Sequence, residues 1–277
     1  MEKGILYLVA TPIGNLEDMT FRAIRILKEV DLILAEDTRK TLKLLNYFEI
    51  SKKMISFYRH NEGVKLDYVI SLLEEGKNLA VVSDAGTPGI SDPGEDLVRE
   101  AIKRGITIVP IPGSVAFIQG LIASGFDTTR FAFEGFLSIN KRVRKERLAE
   151  LKEEQRTMIF YEAPHKLKRT ISDLKETFGG ERKIVLAREL TKIHEEFLRM
   201  TLEEAEKYYE EKDIKGEFVV LVEGAKIEIK PCEKTIDELM QEALAVSLDK
   251  KEAMKKVAKE KGITKSEVYK YLLNNGQ

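Results

Sequence analysis

Short apolar runs rich in β-branched residues alternate with amphipathic stretches through the first part of the chain. Ile5–Ala10, Asp31–Ala35, Leu79–Ser83 and Ile106–Pro110 are apolar almost throughout, which predicts strands buried on both faces. Between them, Phe21–Lys28, Thr38–Phe48, Val64–Glu75 and Pro93–Lys103 space their apolar residues three and four apart and predict helices. Strands of this length separated by helices form βαβ units and a mostly parallel sheet. This first α/β unit is expected to end near Gly125.

A second set follows. Arg130–Phe136, Thr157–Tyr161, Lys183–Ala187, Glu196–Thr201 and Glu217–Val222 read as strands, with helices over Asn140–Glu153, Pro164–Thr177 and Leu202–Glu211. No helix fits between Ile184 and Met200, so this sheet is expected to be mixed, with antiparallel pairs. Lys226–Lys234 is a polar connector containing Pro231, and the pattern beyond it is helical. The expected division is an α/β domain over 1–118, a second α/β domain over 119–225 and a helical tail over 234–277.

Composition adds bounds. At 277 residues the chain suits about two domains. It is 43% apolar and 34% charged, and 46 basic against 47 acidic residues leave a net charge of −1, which excludes a globally basic nucleic-acid binder. Cys232 stands alone and can close no intramolecular disulfide and build no thiolate cluster, so no metal site is expected. The six apolar residues Ile5–Ala10 are followed at once by Pro12 and Asn15-Leu16-Glu17-Asp18. A secretory leader needs an apolar core of about 7–15 residues. No apolar run approaches the roughly 18 residues of a membrane span. A soluble, cytoplasmic protein without membrane association is expected.

Glycine and proline gather at the carboxyl ends of predicted strands. Ala10–Asn15 follows the first, Asp84–Gly94 the third and Pro110–Ser114 the fourth. If the strands are parallel, all three loops leave one edge, where open α/β sheets bind ligands. The Asp84–Gly94 loop has eleven residues with three glycines and two prolines, whereas βα turns usually take about two to six. Asp92 before Pro93 reads as an N-cap with proline at the first helical position, and Ser114 as a cap for a helix over Val115–Ala123. No G-x-G-x-x-G follows a strand, and Pro12–Gly14 lacks the Gly-Lys-Ser/Thr of a P-loop, so kinases, NTPases and ordinary dehydrogenases are disfavoured.

These segments together resemble the tetrapyrrole-methylase superfamily: Leu8–Leu16, Ala35-Glu36-Asp37-Thr38-Arg39, Val82–Gly94 and Pro112-Gly113-Ser114. Arg59-His60-Asn61-Glu62, Phe160–Lys166, Ala187–Lys192 and Lys215–Phe218 are similar to the branch of that superfamily that methylates small-subunit ribosomal RNA. Val115 departs from the pattern, which has a small residue after the serine. The resemblance implies a class III methyltransferase: two α/β domains with S-adenosylmethionine in the cleft between them, acting as a homodimer. It implies methylation of the ribose 2′-hydroxyl of a decoding-centre cytidine in 16S ribosomal RNA, within the 30S subunit. It also implies cofactor contacts from Pro12, Asp84, Ala85, Gly86, Thr87, Ser114 and Val115, and from Tyr161, Ala187 and Gly216 in the second domain.

Methyl transfer from a sulfonium to a hydroxyl is an in-line displacement that rests on positioning, helped by a general base. Candidates on the acceptor side are Asp37, Arg39, His60 and Glu162. Asp37 and Glu162 each have a rival role as a helix cap, while Arg39 has no capping use and suits a phosphate or the cytidine. His165 and His194 also lie in motif-like contexts.

Charge is locally concentrated. Residues 138–170 carry ten Lys/Arg and five Asp/Glu, and Lys141, Arg142, Arg144 and Lys145 fall on one predicted helix whose apolar flank would be Val143, Leu148 and Leu151. In the tail, Ala258, Gly262 and Val268 have helix-turn-helix spacing, Thr264-Lys265-Ser266-Glu267 reads as a capping box, and Lys265 opens the last helix. Both features suit salt-sensitive phosphate contact rather than base reading. The alternatives are a methylase of a tetrapyrrole or other small acceptor, and a non-catalytic nucleic-acid-binding protein: a ligand-sensing regulator or an assembly factor.

Overall fold

A computed structural model describes residues 2–58, 62–91, 94–226, 234–246 and 249–274. Its contacts divide the chain into two units, Met1–Ala225 and Lys226–Gln277.

The first unit contains two five-stranded sheets. Strands β1 (Ile5–Val9), β2 (Leu32–Ala35), β3 (Met54–Ser56), β4 (Leu79–Val82) and β5 (Thr107–Ile111) form a parallel sheet in the order β3-β2-β4-β1-β5. Every residue of β2 and β4 is buried, as continuous apolar runs require when helices cover both faces. Those helices are α1 (Phe21–Glu29), α2 (Thr38–Tyr47), α3 (Glu62–Glu74) and α4 (Glu95–Lys103). They leave two apolar layers. Leu6, Leu34, Phe57, Leu73 and Leu97 fill one face, and Val9, Ile26, Leu27, Ile33 and Leu45 the other.

Helix α5 (Ala116–Ser124) leaves the end of β5 and packs on the second sheet, where Phe117 and Leu121 meet Ile159, Val185 and Val219. That sheet is β6 (Phe131–Phe136), β7 (Thr157–Glu162), β8 (Lys183–Arg188), β9 (Glu196–Thr201) and β10 (Phe218–Val222), in the order β6-β7-β10-β8-β9. Only β6 and β7 pair in parallel; β10 runs antiparallel to β7 and β8, and β9 to β8. Its other face is closed by α6 (Lys141–Glu150), α7 (Pro164–Phe178) and α8 (Leu202–Tyr209) around Phe160, Leu167, Ile171 and Leu186.

Among its described residues the second unit has three helices, α9 (Ile236–Ala245), α10 (Lys250–Lys261) and α11 (Lys265–Asn274), around Leu239, Val257, Val268 and Leu272. Gly262 ends α10 in left-handed backbone at φ 65°, and Thr264 and Glu267 exchange the reciprocal bonds of a capping box. Among the described residues no helix is long and apolar enough to cross a membrane.

Three local expectations are corrected. β3 was not anticipated: three half-buried residues on a sheet edge carry no periodicity. α4 begins at Glu95 with Gly94 as its N-cap, two residues later than expected, while Asp92 and Pro93 lie outside the described residues. Ser114 caps nothing. Val115 is the N-cap of α5 without a side-chain bond, and the Ser114 carbonyl accepts the Thr87 hydroxyl at 3.2 Å.

At Gly113 a Cβ would stand 2.7 Å from that of Ala10, so the chain ends of β1 and β5 can meet only because this position lacks one. Gly113→Ala is expected to cost about 1–3 kcal/mol by overpacking, read as a lower urea midpoint at unchanged slope; an unshifted midpoint would show that the two strand ends part freely.

Candidate functional site

Parallel pairing sends the loops after β1, β4 and β5 out of one edge of the first sheet, and there they bond to each other. Thr11 and Gly86 exchange backbone N–H···O bonds of 2.8 and 3.0 Å. The Asp84 N–H donates to Glu36 Oε2 at 3.1 Å, and the Asp37 N–H donates back to Asp84 Oδ1 at 3.0 Å. Asp84 Oδ2 also takes the Lys40 ammonium at 2.7 Å. Gly86 sits at φ +86°, where a Cβ would press on Ile13 at 3.3 Å. The rim is fixed by its own hydrogen bonds.

Against this rim lies a cavity of about 520 Å³. The first sheet supplies Ile13, Glu36, Asp84–Thr87, Ile90 and Ser91; the start of α5 supplies Val115 and Ala116; the second sheet supplies Phe136, Tyr161–His165, Ala187, Leu190 and Glu217–Val219. The volume lies within the range of small-molecule and cofactor sites. Phe136 and Tyr161 give it an aromatic wall, behind which Phe133 stacks on Phe117 at 4.4 Å and meets Tyr161 edge-on at 5.1 Å. The Tyr161 hydroxyl accepts the Phe117 N–H at 3.3 Å, taking one orphan donor of α5. Both α5 and α7 start at the cavity without a side-chain cap, so two helix amino ends with their partial positive charge face it.

The sequence-derived cofactor positions divide. Asp84, Ala85, Gly86, Thr87, Val115, Tyr161 and Ala187 line the cavity. Ser114 holds Thr87 from behind. Gly216 precedes the lining residue Glu217 at φ +99°, where a Cβ would stand 2.6 Å from Glu189 Cγ. Glu189 there accepts the Glu217 N–H at 2.9 Å and the Lys192 ammonium at 2.9 Å. Burial opposes its ionisation, but those two donors outweigh it and hold its carboxyl below the usual value. Pro12 borders a different, smaller cavity.

Of the acceptor-side candidates, Glu162 lines the cavity and is 5% exposed. Its carboxylate accepts the Ala163 N–H at 2.9 Å and the Thr170 hydroxyl. Asp37 and Arg39 do not line the cavity. Asp37 is the N-cap of α2, and Arg39 folds back on it through Nε at 3.0 Å and Nη2 at 2.7 Å. His60 lies outside the described residues. His165 lines the cavity and His194 is exposed away from it. The candidate list derived from sequence omits the lining residues Glu36, Ile90, Leu190 and Glu217, although each lies inside one of the quoted motifs, and membership of those motifs was the available signal.

On α6, Lys141, Arg142 and Lys145 are exposed, but Arg144 is 5% exposed. Arg144 donates to Asp173 through Nε and to the Thr170 hydroxyl at 2.8 Å, and that hydroxyl in turn donates to Glu162. The expected apolar flank is also displaced: Val143 is 45% exposed, and the inward stripe is Arg144, Leu148 and Leu151. A guanidinium occupies an inward position because Asp173 and Thr170 wait for it there. Lys265 is half-buried at the start of α11. Among the described residues no group of three or more His, Cys, Asp or Glu side chains is placed to hold a metal ion.

Residues 5–206 match the family model for tetrapyrrole (corrin/porphyrin) methylases. The chain is 50% identical over 273 residues to ribosomal RNA small subunit methyltransferase I of Halalkalibacterium halodurans, covering 97% of this chain and 94% of that one. It is 47% identical to the protein of that name from Synechocystis sp., covering 98% of both, and 46% identical to that of Bacillus subtilis, covering 97% and 94%. In fold it is similar to uroporphyrin-III-C-methyltransferase from Thermus thermophilus, with TM-score 0.56 and 20% identity over 80% of this chain and 94% of that one. Diphthine synthase gives TM-score 0.60 and 14% identity over 80% and 90%. A further Thermus thermophilus uroporphyrin-III C-methyltransferase structure, complexed with S-adenyl homocysteine, gives 0.56 and 16% over 79% and 97%.

Two predictions follow from these contacts. Arg144→Ala would leave the Thr170 hydroxyl and Asp173 without their donor and is expected to destabilise the fold by at least ~2 kcal/mol, whereas Lys145→Ala on the exposed face should stay within about 0.5 kcal/mol; equal urea midpoints for the two would contradict the burial. The hydrogen bond from the Arg39 side chain, then that from its backbone N–H, lowers the Asp37 carboxyl from 3.8 to about 2. Any stability from this contact is therefore present above the ordinary carboxylate pKa and lost as pH falls towards 2. With Arg39→Ala, carboxyl NMR should find Asp37 titrating closer to 3.8; an unmoved titration would assign the shift elsewhere.

Proposed function

The chain belongs to the family of tetrapyrrole (corrin/porphyrin) methylases and is a methyltransferase, and we propose that it methylates the ribose 2′-hydroxyl of a decoding-centre cytidine in 16S ribosomal RNA. S-adenosylmethionine is the donor, and the rRNA is met within the 30S subunit. The reading includes a homodimer, as the sequence resemblance implies, working in the cytoplasm, as the composition and apolar patterning lead one to expect. Its main support is the cavity itself, which joins the carboxyl edge of one sheet to the aromatic wall of the other in a chain related over nearly its full length to rRNA methyltransferases.

The residues present suit that donor. Gly86, at φ +86°, permits the turn that brings Asp84, Ala85 and Thr87 to the cavity wall. The amino ends of α5 and α7 suit a carboxylate, and Glu36, Asp84, Glu162 and Glu217 surround the space with negative charge that attracts a cation. When bound, the donor supplies an electrophilic methyl on a sulfonium. The chain's work is then to hold and orient: Tyr161 fixes α5, the Thr11–Gly86 bridge fixes the rim, and Ile90, Val115 and Leu190 exclude water. Glu162 and His165 share one wall and are the groups to which removal of the hydroxyl proton is assigned. Lys141, Arg142 and Lys145 on α6 and Lys265 on α11 are the proposed phosphate contacts, which makes binding salt-sensitive.

Incubation with labelled S-adenosylmethionine and unmethylated 30S subunits should place the label on one cytidine ribose. Label on a porphyrinoid and none on RNA would overturn the assignment. Asp84→Ala frees Lys40 and the Asp37 N–H and slackens the rim. It is expected to remove measurable calorimetric binding of S-adenosylmethionine while the circular dichroism melt remains cooperative, and undiminished affinity would refute the role given to Asp84.

A further inference from the structure

A second cavity, of about 300 Å³, shares Asp84 with the first but has the opposite chemistry. One wall is helix α2, which contributes Lys40, Lys43, Leu44 and Tyr47, spaced three, four and seven residues on from the first so that they form a single stripe. The loop after β1 supplies Thr11, Pro12 and Gly14 opposite. α2 contains Arg39, Lys40 and Lys43 and no acidic residue. The cavity's one carboxylate, Asp84, is neutralised by Lys40 at 2.7 Å.

Two members of this stripe present exposed side chains to the cavity. Lys43 is exposed and forms no ion pair among the described residues. Tyr47 is 62% exposed, with its ring held edge-on to Phe48 at 5.0 Å, which fixes the ring while leaving a face free. Leu16, on the same cavity, is 36% exposed. A free cation beside a fixed, open aromatic ring in a concavity is the combination that holds single-stranded nucleic acid, the base stacking on the ring and the phosphate meeting the cation. The main cavity, with four carboxylates and no lysine or arginine, repels a phosphate and suits a cationic donor.

We propose that the second cavity seats a single-stranded RNA segment adjoining the target nucleotide, one base lying on Tyr47 and one phosphate against Lys43. This rests on reading the chain as an RNA methyltransferase. Acid-lined donor space and basic acceptor space then meet at Asp84, so an RNA held by α2 delivers its neighbouring ribose to the border of the main cavity. Pro12, which the resemblance assigns to the cofactor, lies on the wall of this second cavity.

The test is fluorescence anisotropy with a short labelled single-stranded RNA carrying the target cytidine, on the full chain and its Tyr47→Ala, Tyr47→Phe and Lys43→Ala variants. Tyr47→Ala is expected to weaken binding about tenfold, while Tyr47→Phe, which keeps the stacking face, stays within about twofold. Lys43→Ala should reduce the slope of log affinity against log salt by about 0.7, one phosphate contact on a single strand. Affinity for S-adenosylmethionine, measured by calorimetry, should be the same in all four proteins. Wild-type-like RNA binding in Tyr47→Ala and Lys43→Ala overturns the assignment, as does absence of RNA binding by the unaltered protein. Competition by inorganic phosphate with no effect of Tyr47→Ala also overturns it, leaving only an anion site. Methylation of RNA by variants that bind it normally would sink this seat and spare the proposed reaction; binding lost in the variants without any RNA methylation by the wild type would do the reverse.

Discussion

Everything at the site depends on how the strand ends of the first sheet satisfy their backbone groups. A cavity at a sheet edge exposes N–H and C=O groups that the ladder no longer pairs, and each unpaired buried group is costly. Here the loops pair with one another. Thr11 and Gly86 form a bridge, Glu36 accepts the Asp84 N–H, Asp84 accepts the Asp37 N–H, and the Ser114 carbonyl accepts the Thr87 hydroxyl. The rim's shape is therefore set by its own hydrogen bonds. The glycines follow from the same constraint: Gly86 adopts a positive φ beside Ile13, and Gly113 lets the ends of β1 and β5 meet.

The second sheet contributes through its mixed direction. Because β10 runs antiparallel to β7 and β8, its start lies beside their ends, and Glu217–Val219 share a wall with Tyr161–His165 and Ala187. An all-parallel second sheet would have sent that segment to the opposite edge. The absence of a helix between Ile184 and Met200 already signals this reversal in the sequence, so the antiparallel pairs were legible. The buried strands were also legible, since Leu79–Val82 and Phe218–Val222 are apolar at every position.

What was not legible depended on three-dimensional partners. Sequence places Val143 and Arg144 side by side, and hydropathy alone turns the valine inward. Asp173 and Thr170, on another helix, reverse the choice. Ser114 has the chemistry of a helix cap, but its carbonyl is already engaged by Thr87 and α5 starts two residues later. Arg39 has its Nε and Nη2 turned back on Asp37, the cap of its own helix, a pairing that sequence spacing alone does not reveal, whereas Lys43 and Tyr47 of that helix line the smaller cavity. The motifs thus mark residues around two cavities, while their partition between those cavities required the fold.

The backbone around the main cavity carries strain in particular places. Ser91, Glu189 and Thr191 have φ of 64°, 51° and 67°, left-handed values that non-glycine residues adopt at a cost of about 1–3 kcal/mol each. Ser91 and Leu190 are lining residues, and Leu190 lies between two of the strained positions. The surroundings hold this turn in place: the Glu189 N–H reaches the Glu217 carbonyl at 3.0 Å, its carboxylate takes Lys192 and the Glu217 N–H, and Glu195 takes the Thr191 N–H at 2.6 Å. Lys192 also meets Glu217 at 3.0 Å, and its stem lies against Gly14, where a Cβ would stand 2.4 Å from Lys192 Cγ. The strained turn of the second sheet is thereby clamped to the loop after β1 of the first. A side chain at position 14 would force that clamp apart, and with it the wall that carries Leu190, so the Pro12–Gly14 segment shapes the main cavity through packing even where it does not line it.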